Sequence, residues 1–117
     1  MLYFSVYKGN NDNNKTMKYS KDQIHEGCPS VSTSQIDFAI SLIGKTVTVA
    51  DKDSAIGKSI IQYSESFTIE GIEVKDTRNR GLVSFFNTDT QTTKRHGNAI
   101  SMLRILMGIK NNELEVA

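Results

Sequence analysis

The residues best suited to chemistry in this 117-residue chain are cations. Arg78 and Arg80 stand at a turn and a strand start, and Lys94, Arg95 and His96 stand just before a helical segment. Guanidinium and ammonium groups beside the free N–H groups of a helix N-terminus bind phosphate or carboxylate. If the turn at 78–80 lies beside 94–96, then Arg78, Arg80, Lys94 and Arg95 form a local anion or nucleic-acid site. The whole chain gives no such signal. Its 14 Lys and Arg against 13 Asp and Glu leave a net charge of +1, so any polyanion would have to bind a local patch.

Other chemistry is not expected. Gly57-Lys58-Ser59 invites a P-loop, but that motif needs a glycine at 52, which is Lys52, and a helix after the Gly-Lys-Ser triplet. Ile60-Ile61-Gln62-Tyr63 reads as strand. His25, Glu26, Cys28 and His96 are the metal-like set, yet no second ligand pair stands at a recognised spacing. Cys28 is read as a packed residue beside Pro29, and the two histidines as exposed or capping. No nucleophile-elbow pattern surrounds any serine, and the carboxylate pairs Asp51/Asp53 and Glu70/Glu73 fall in turns or on strand faces. No catalytic residue, metal or cofactor is assigned. An enzyme would need a site assembled from dispersed residues.

The stretch Arg80-Gly81-Leu82-Val83-Ser84-Phe85-Phe86 resembles in part the aromatic RNA-contact strand of the RNA recognition motif, with Leu2-Tyr3-Phe4 in place of its partner strand. The match fails at several positions and the strand count is wrong for that fold, so membership is not assigned.

A second feature is apolar. From Asn98 to Lys110 the sequence predicts a helix. At about 100° per residue, its apolar side chains cover roughly 220° of the circumference, wider than an ordinary surface helix. Only Ser101, Arg104 and Gly108 fall on the opposite stripe. The sheet and the first helix can cover part of that arc. The remainder, on Met102, Ile105, Leu106 and Ile109, is expected to meet a second chain, because methionine-rich faces adapt to partners.

These residues need a scaffold, and the patterning supplies one. Leu2, Phe4 and Val6 alternate with Tyr3, Ser5 and Tyr7, predicting a first strand over 2–8, not a signal peptide. A polar, mobile loop is expected over about 9–15. Thr16–Tyr19 could pair back as a short strand, and Ser20–Glu26 could form one or two helical turns before Gly27-Cys28-Pro29. Ser32 and Gln35 match a capping box, with Val31 and Ile36 as a hydrophobic staple and Gly44 closing a helix over 33–43.

A four-strand meander follows: 45–50, 58–63, 67–74 and 80–87. The apolar alternation slips from odd to even positions at Glu70-Gly71, which predicts a bulge. The polar run 88–93 offers Asp89 or a threonine as a cap for the second helix, which could instead begin as late as Asn98. Asn111-Asn112 ends it, and Glu113–Val116 adds an edge strand. The fold expected is α+β, a mostly antiparallel sheet with two helices on one face, in a single domain spanning 1–117.

One cysteine excludes an intrachain disulfide, and no apolar run approaches the ~18–20 residues that span a bilayer. A cytoplasmic protein without membrane contact is expected. The bias toward Asn, Ser, Thr, Ile and Lys, with one Pro and no Trp, is common in phage and mobile-element genes. The leading expectation is a non-enzymatic homodimer that regulates or inhibits a protein partner. The alternative is a nucleic-acid or nucleotide-binding regulator using the basic patch, and the third is a small enzyme.

Overall fold

The structure, a computed structural model, describes residues 18–117. The expected first strand at 2–8, the loop at 9–15 and the start of the pairing segment at 16–17 lie outside the described residues. Helices α1 (Lys21–Glu26), α2 (Thr33–Ser41), α3 (Ala55–Ile61) and α4 (Met102–Lys110) are interleaved with strands β1 (Thr46–Val49), β2 (Ser66–Thr77), β3 (Gly81–Thr88), β4 (Ala99–Ser101) and β5 (Leu114–Val116). The strands form one antiparallel sheet in the order β4-β3-β2-β1-β5. The fold is α+β, as the patterning predicts, with four helices among the described residues where two were expected. No helix among the described residues is long and apolar enough to cross a membrane.

Local side-chain caps start α1, α2 and α3. The reciprocal capping box forms at Ser20, where the Gln23 N–H donates to Ser20 Oγ at 3.2 Å and the Ser20 N–H donates to Gln23 Oε1 at 2.8 Å. At Ser32 the hydroxyl accepts from the Gln35 N–H at 3.2 Å. Helix α2 ends two residues earlier than expected. Leu42 caps it, and Gly44, at φ +90°, donates its N–H to the Ile69 carbonyl at 2.7 Å as the chain turns into β1.

The expected strand at 58–63 is helix α3. Ser54 decides this. Its hydroxyl accepts from the Gly57 N–H at 3.0 Å and donates to the Asp51 carbonyl at 2.8 Å, while Glu113 Oε1 accepts from the Ile56 N–H at 3.1 Å. Ile56 and Ile60 then share a face four residues apart, with Ile60 fully buried. The β-branched isoleucines suggest a strand, but the cap and the packing of that face override the propensity. Gly57-Lys58-Ser59 therefore lies inside a helix. It is still no P-loop, because Gly57 packs on the Asp51 backbone and has no open anion loop before it.

Strands β2 and β3 make the long hairpin at the middle of the sheet, paired from Thr77↔Gly81 to Ile69↔Thr88. Their register shifts between Ile69 and Gly71, so the bulge is where the alternation predicts it and keeps Phe67, Ile69 and Ile72 on the core side. Those residues join Val47, Val49, Phe86 and Leu114 from the sheet and Ile24, Ile36, Ala39, Ile60, Met102 and Ile105 from the helices in one hydrophobic core.

The segment at 98–110 departs from expectation. Ala99 to Ser101 is strand β4, paired to Phe85–Asn87, and the helix starts only at Met102. Asp89 caps nothing helical; its Oδ1 accepts from the Thr68 N–H at 2.9 Å. Ala99 and Ile100 are buried as strand residues, which removes two members of the wide apolar arc. What remains is an ordinary amphipathic helix. Met102, Ile105 and Leu106 are all at or below 4% exposed within this one chain, and Ile109 is half-buried. The expected interface residues thus belong to the chain's own core. The apolar side chains that α4 exposes are Leu103 and Met107.

Candidate functional site: a cationic groove

Two turns carry the cations, and they are built alike. Thr77-Arg78-Asn79-Arg80-Gly81 joins β2 to β3, and Thr93-Lys94-Arg95-His96-Gly97 lies between β3 and β4. In the first, Thr77 Oγ1 accepts from the Arg80 N–H at 3.1 Å. In the second, Thr93 Oγ1 accepts from the His96 N–H at 2.9 Å. Each turn then reverses through a glycine at positive φ, Gly81 at 72° and Gly97 at 63°. The threonine hydroxyl satisfies the backbone and the glycine permits the reversal, so the intervening side chains are left to project. This Thr-(Arg/Lys)-x-(Arg/His)-Gly pattern occurs in the sequence but was not recognised there.

Both turns line one groove of about 490 Å³. Arg78, Arg80, Lys94 and Arg95, the four cations singled out from sequence, all line it. Arg104 joins them from α4, held by a hydrogen bond from its Nη1 to Ser59 Oγ at 3.2 Å. Sequence reasoning assigned Arg104 only to the polar stripe of the helix, because nothing local signals that α4 starts beside the turns.

The expected helix N-terminus is not what assembles the patch. Residues 94–96 sit in a turn before β4, and the helix begins six residues after His96 in Met102. Ser101, its N-cap, lines the groove and makes no side-chain hydrogen bond to the helix.

Among the described residues, no Asp or Glu lines this groove. The ion pairs found among the described residues, Lys21–Asp37 at 2.6 Å and Lys52–Glu65 at 3.9 Å, lie elsewhere. Desolvation first, and then the nearby Lys75, Arg95 and Arg80, hold the pKa of His96 below the ordinary histidine value. Its ring packs on Phe85, and the Lys75 ammonium lies 5.2 Å from the Phe85 ring centre. Phe85 is only 4% exposed and Phe86 is fully buried, so neither presents a free face as the aromatic strand of an RNA recognition motif would.

A second cavity of about 410 Å³ adjoins the groove, sharing Arg80, Val83 and Ser101 with it. Its walls include Leu82 and Leu103, both more than a third exposed, and its inner side is made by Gly27, Cys28 and Ser84. The Ser84 N–H donates to the Gly27 carbonyl at 2.9 Å and its hydroxyl to the Ile24 carbonyl at 2.7 Å, which fixes the end of α1 against β3.

The remaining candidates from sequence serve the fold. Cys28 is buried, and burial raises its thiol pKa, so the reactive thiolate is disfavoured. His25 Nε2 lies 2.8 Å from the Val31 carbonyl, and since a carbonyl only accepts, that nitrogen carries the proton. No group of three His, Cys, Asp or Glu suited to a metal occurs among the described residues.

No protein-family model matches the chain, and comparison with curated proteins and with solved structures gives no significant match.

Proposed function

We propose that this chain is a non-enzymatic protein that binds nucleic acid through the cationic groove. One observation carries the reading. Two like-built turns and α4 bring Arg78, Arg80, Lys94, Arg95 and Arg104 to a common groove that no carboxylate among the described residues lines, in a chain whose total charge is only +1. Four of the five are arginines, whose planar fork matches phosphate oxygens in a bidentate way. Charges spread along a groove suit a run of phosphates better than a single one. Binding would release counterions, so affinity falls as salt rises.

The test is fluorescence anisotropy with labelled DNA and RNA oligonucleotides across a salt titration. Binding whose logarithm falls linearly with log salt, and which weakens in Lys94→Ala/Arg95→Ala, supports the reading. Absence of binding, or affinity unchanged by the substitutions, overturns it.

A second reading, a homodimer that regulates or inhibits a protein partner, is favoured by Leu103 and Met107. They lie one turn apart on α4 and are 38% and 44% exposed. Light scattering giving a mass near 13.0 kDa would remove the dimer from it.

A further inference from the structure

We infer that the cavity beside the cationic groove receives an unstacked nucleobase, which makes the ligand a single strand and not a duplex. The inference rests on the nucleic-acid reading above and assigns the part of the ligand that the cations do not recognise.

The two cavities are contiguous but differ in chemistry. Among the described residues the groove is lined by cations without a carboxylate, whereas the second cavity carries Glu26 on its lining and the aliphatic side chains of Leu82 and Leu103. A carboxylate repels phosphate and apolar walls cannot replace its water, so beyond Arg80 a phosphate finds no favourable partner in the second cavity. A neutral base does. Leu82 and Leu103 are the large hydrophobic side chains exposed on its walls, at 36% and 38%, and covering them with a base removes apolar surface from water. Glu26 can accept from an exocyclic amine, and the Ser101 hydroxyl, which makes no bond to its own helix, stands where the two cavities meet.

Arg80 lines both cavities. It is therefore placed at the junction between base and backbone, where a guanidinium can hold the phosphate of the same nucleotide. Both volumes, about 410 and 490 Å³, fall in the range of ordinary ligand sites. Bases in a duplex are paired and stacked and cannot enter without being flipped out, whereas a single strand offers them freely. Among the described residues no aromatic side chain lines this cavity, and Glu26 favours a base that carries an exocyclic amine.

The experiment measures anisotropy at one fixed salt concentration with three probes: a single-stranded oligonucleotide, the same strand made abasic throughout, and the corresponding duplex. The unmodified chain is compared with Leu82→Ser/Leu103→Ser and with Arg78→Ala/Lys94→Ala/Arg95→Ala. Both leucines are partly exposed, and circular dichroism checks that their variant folds.

The single strand should bind about tenfold more tightly than either other probe. The leucine variant should fall to the abasic level with the single strand while its abasic affinity stays unchanged, and the cation variant should lose affinity for all three. Equal affinity for the three probes, or an equal loss on all of them in the leucine variant, overturns the base pocket but leaves the nucleic-acid reading standing. If no probe binds at all, both fall together.

Discussion

The His96 ring lies 4.9 Å from the Phe85 ring, tilted at 59° to it, and both residues line the cationic groove. His96 lies near Lys75, Arg80 and Arg95, and its pKa is lowered by desolvation first and by those cations next. The sign for folding follows. Below the ordinary value of 6.5 the unfolded chain binds more protons at this residue than the folded one, so the contribution of His96 to stability is present above that pH and lost as pH falls toward the folded pKa. For ligand binding the sign is opposite. A phosphate in the groove stabilises the imidazolium, so the complex takes up a proton. Affinity for an oligonucleotide should therefore rise as pH drops from about 7.5 to about 5.5. Anisotropy at the two pH values checks this, and His96→Ala should flatten the difference.

The groove cations should act additively in salt dependence. Each Lys or Arg that touches a phosphate contributes about one unit to the slope of log affinity against log salt. Arg78→Ala and Lys94→Ala should each reduce the slope by roughly that amount, and the double substitution by roughly twice it. An unchanged slope would show that the side chain in question meets no phosphate.

Two glycines are predicted to be intolerant of a methyl group. A Cβ on Gly57 would stand 2.0 Å from the Asp51 carbonyl oxygen, and one on Gly27 would stand 2.7 Å from the Ser84 backbone nitrogen. Both neighbours are backbone, which cannot swing aside. Gly57→Ala and Gly27→Ala should each destabilise by about 1–3 kcal/mol, read by urea denaturation. Gly71→Ala is the control, because the nearest atom to its added Cβ, Asn87 Oδ1, is 3.7 Å away.

Helix α4 offers a direct contrast between its two faces. Met102 is fully buried and Met107 is 44% exposed. Met102→Ala should cost about 2–5 kcal/mol by opening a cavity, whereas Met107→Ala should stay within about 0.5 kcal/mol. A reversed order in denaturation midpoints would mean that α4 packs by its other face.

Ser84 ties the fold to the site. Its hydroxyl and N–H anchor the end of α1 to β3, beside the cavity assigned to a base. Ser84→Ala removes one of two donors to the Ile24 carbonyl, the Gly27 N–H remaining at 3.1 Å, and should cost about 0.5–1.5 kcal/mol, measured by thermal or urea unfolding.

What the sequence determined by itself was local. Ser20 and Ser32 start helices through side-chain bonds that span three residues, and the slip of alternation at Glu70-Gly71 becomes the bulge that keeps Phe67, Ile69 and Ile72 together. The cations Arg78, Arg80, Lys94 and Arg95 were legible as types, and even their shared threonine–glycine turns are written within five residues. Tertiary structure decided the rest. Ile60 and Ile61 have strand propensity, yet the Ser54 cap and the reach of Glu113 from the far end of the chain make them helical. Ala99 and Ile100 fit a helical face equally well, but β3 needed a partner at Phe85–Asn87, and pairing took them into the sheet. That same pairing placed the second cationic turn on the same groove as the first and brought Arg104 to it. A short apolar segment can satisfy its backbone either as helix or as strand, and only the neighbour that supplies the missing hydrogen bonds and the covering surface chooses between them.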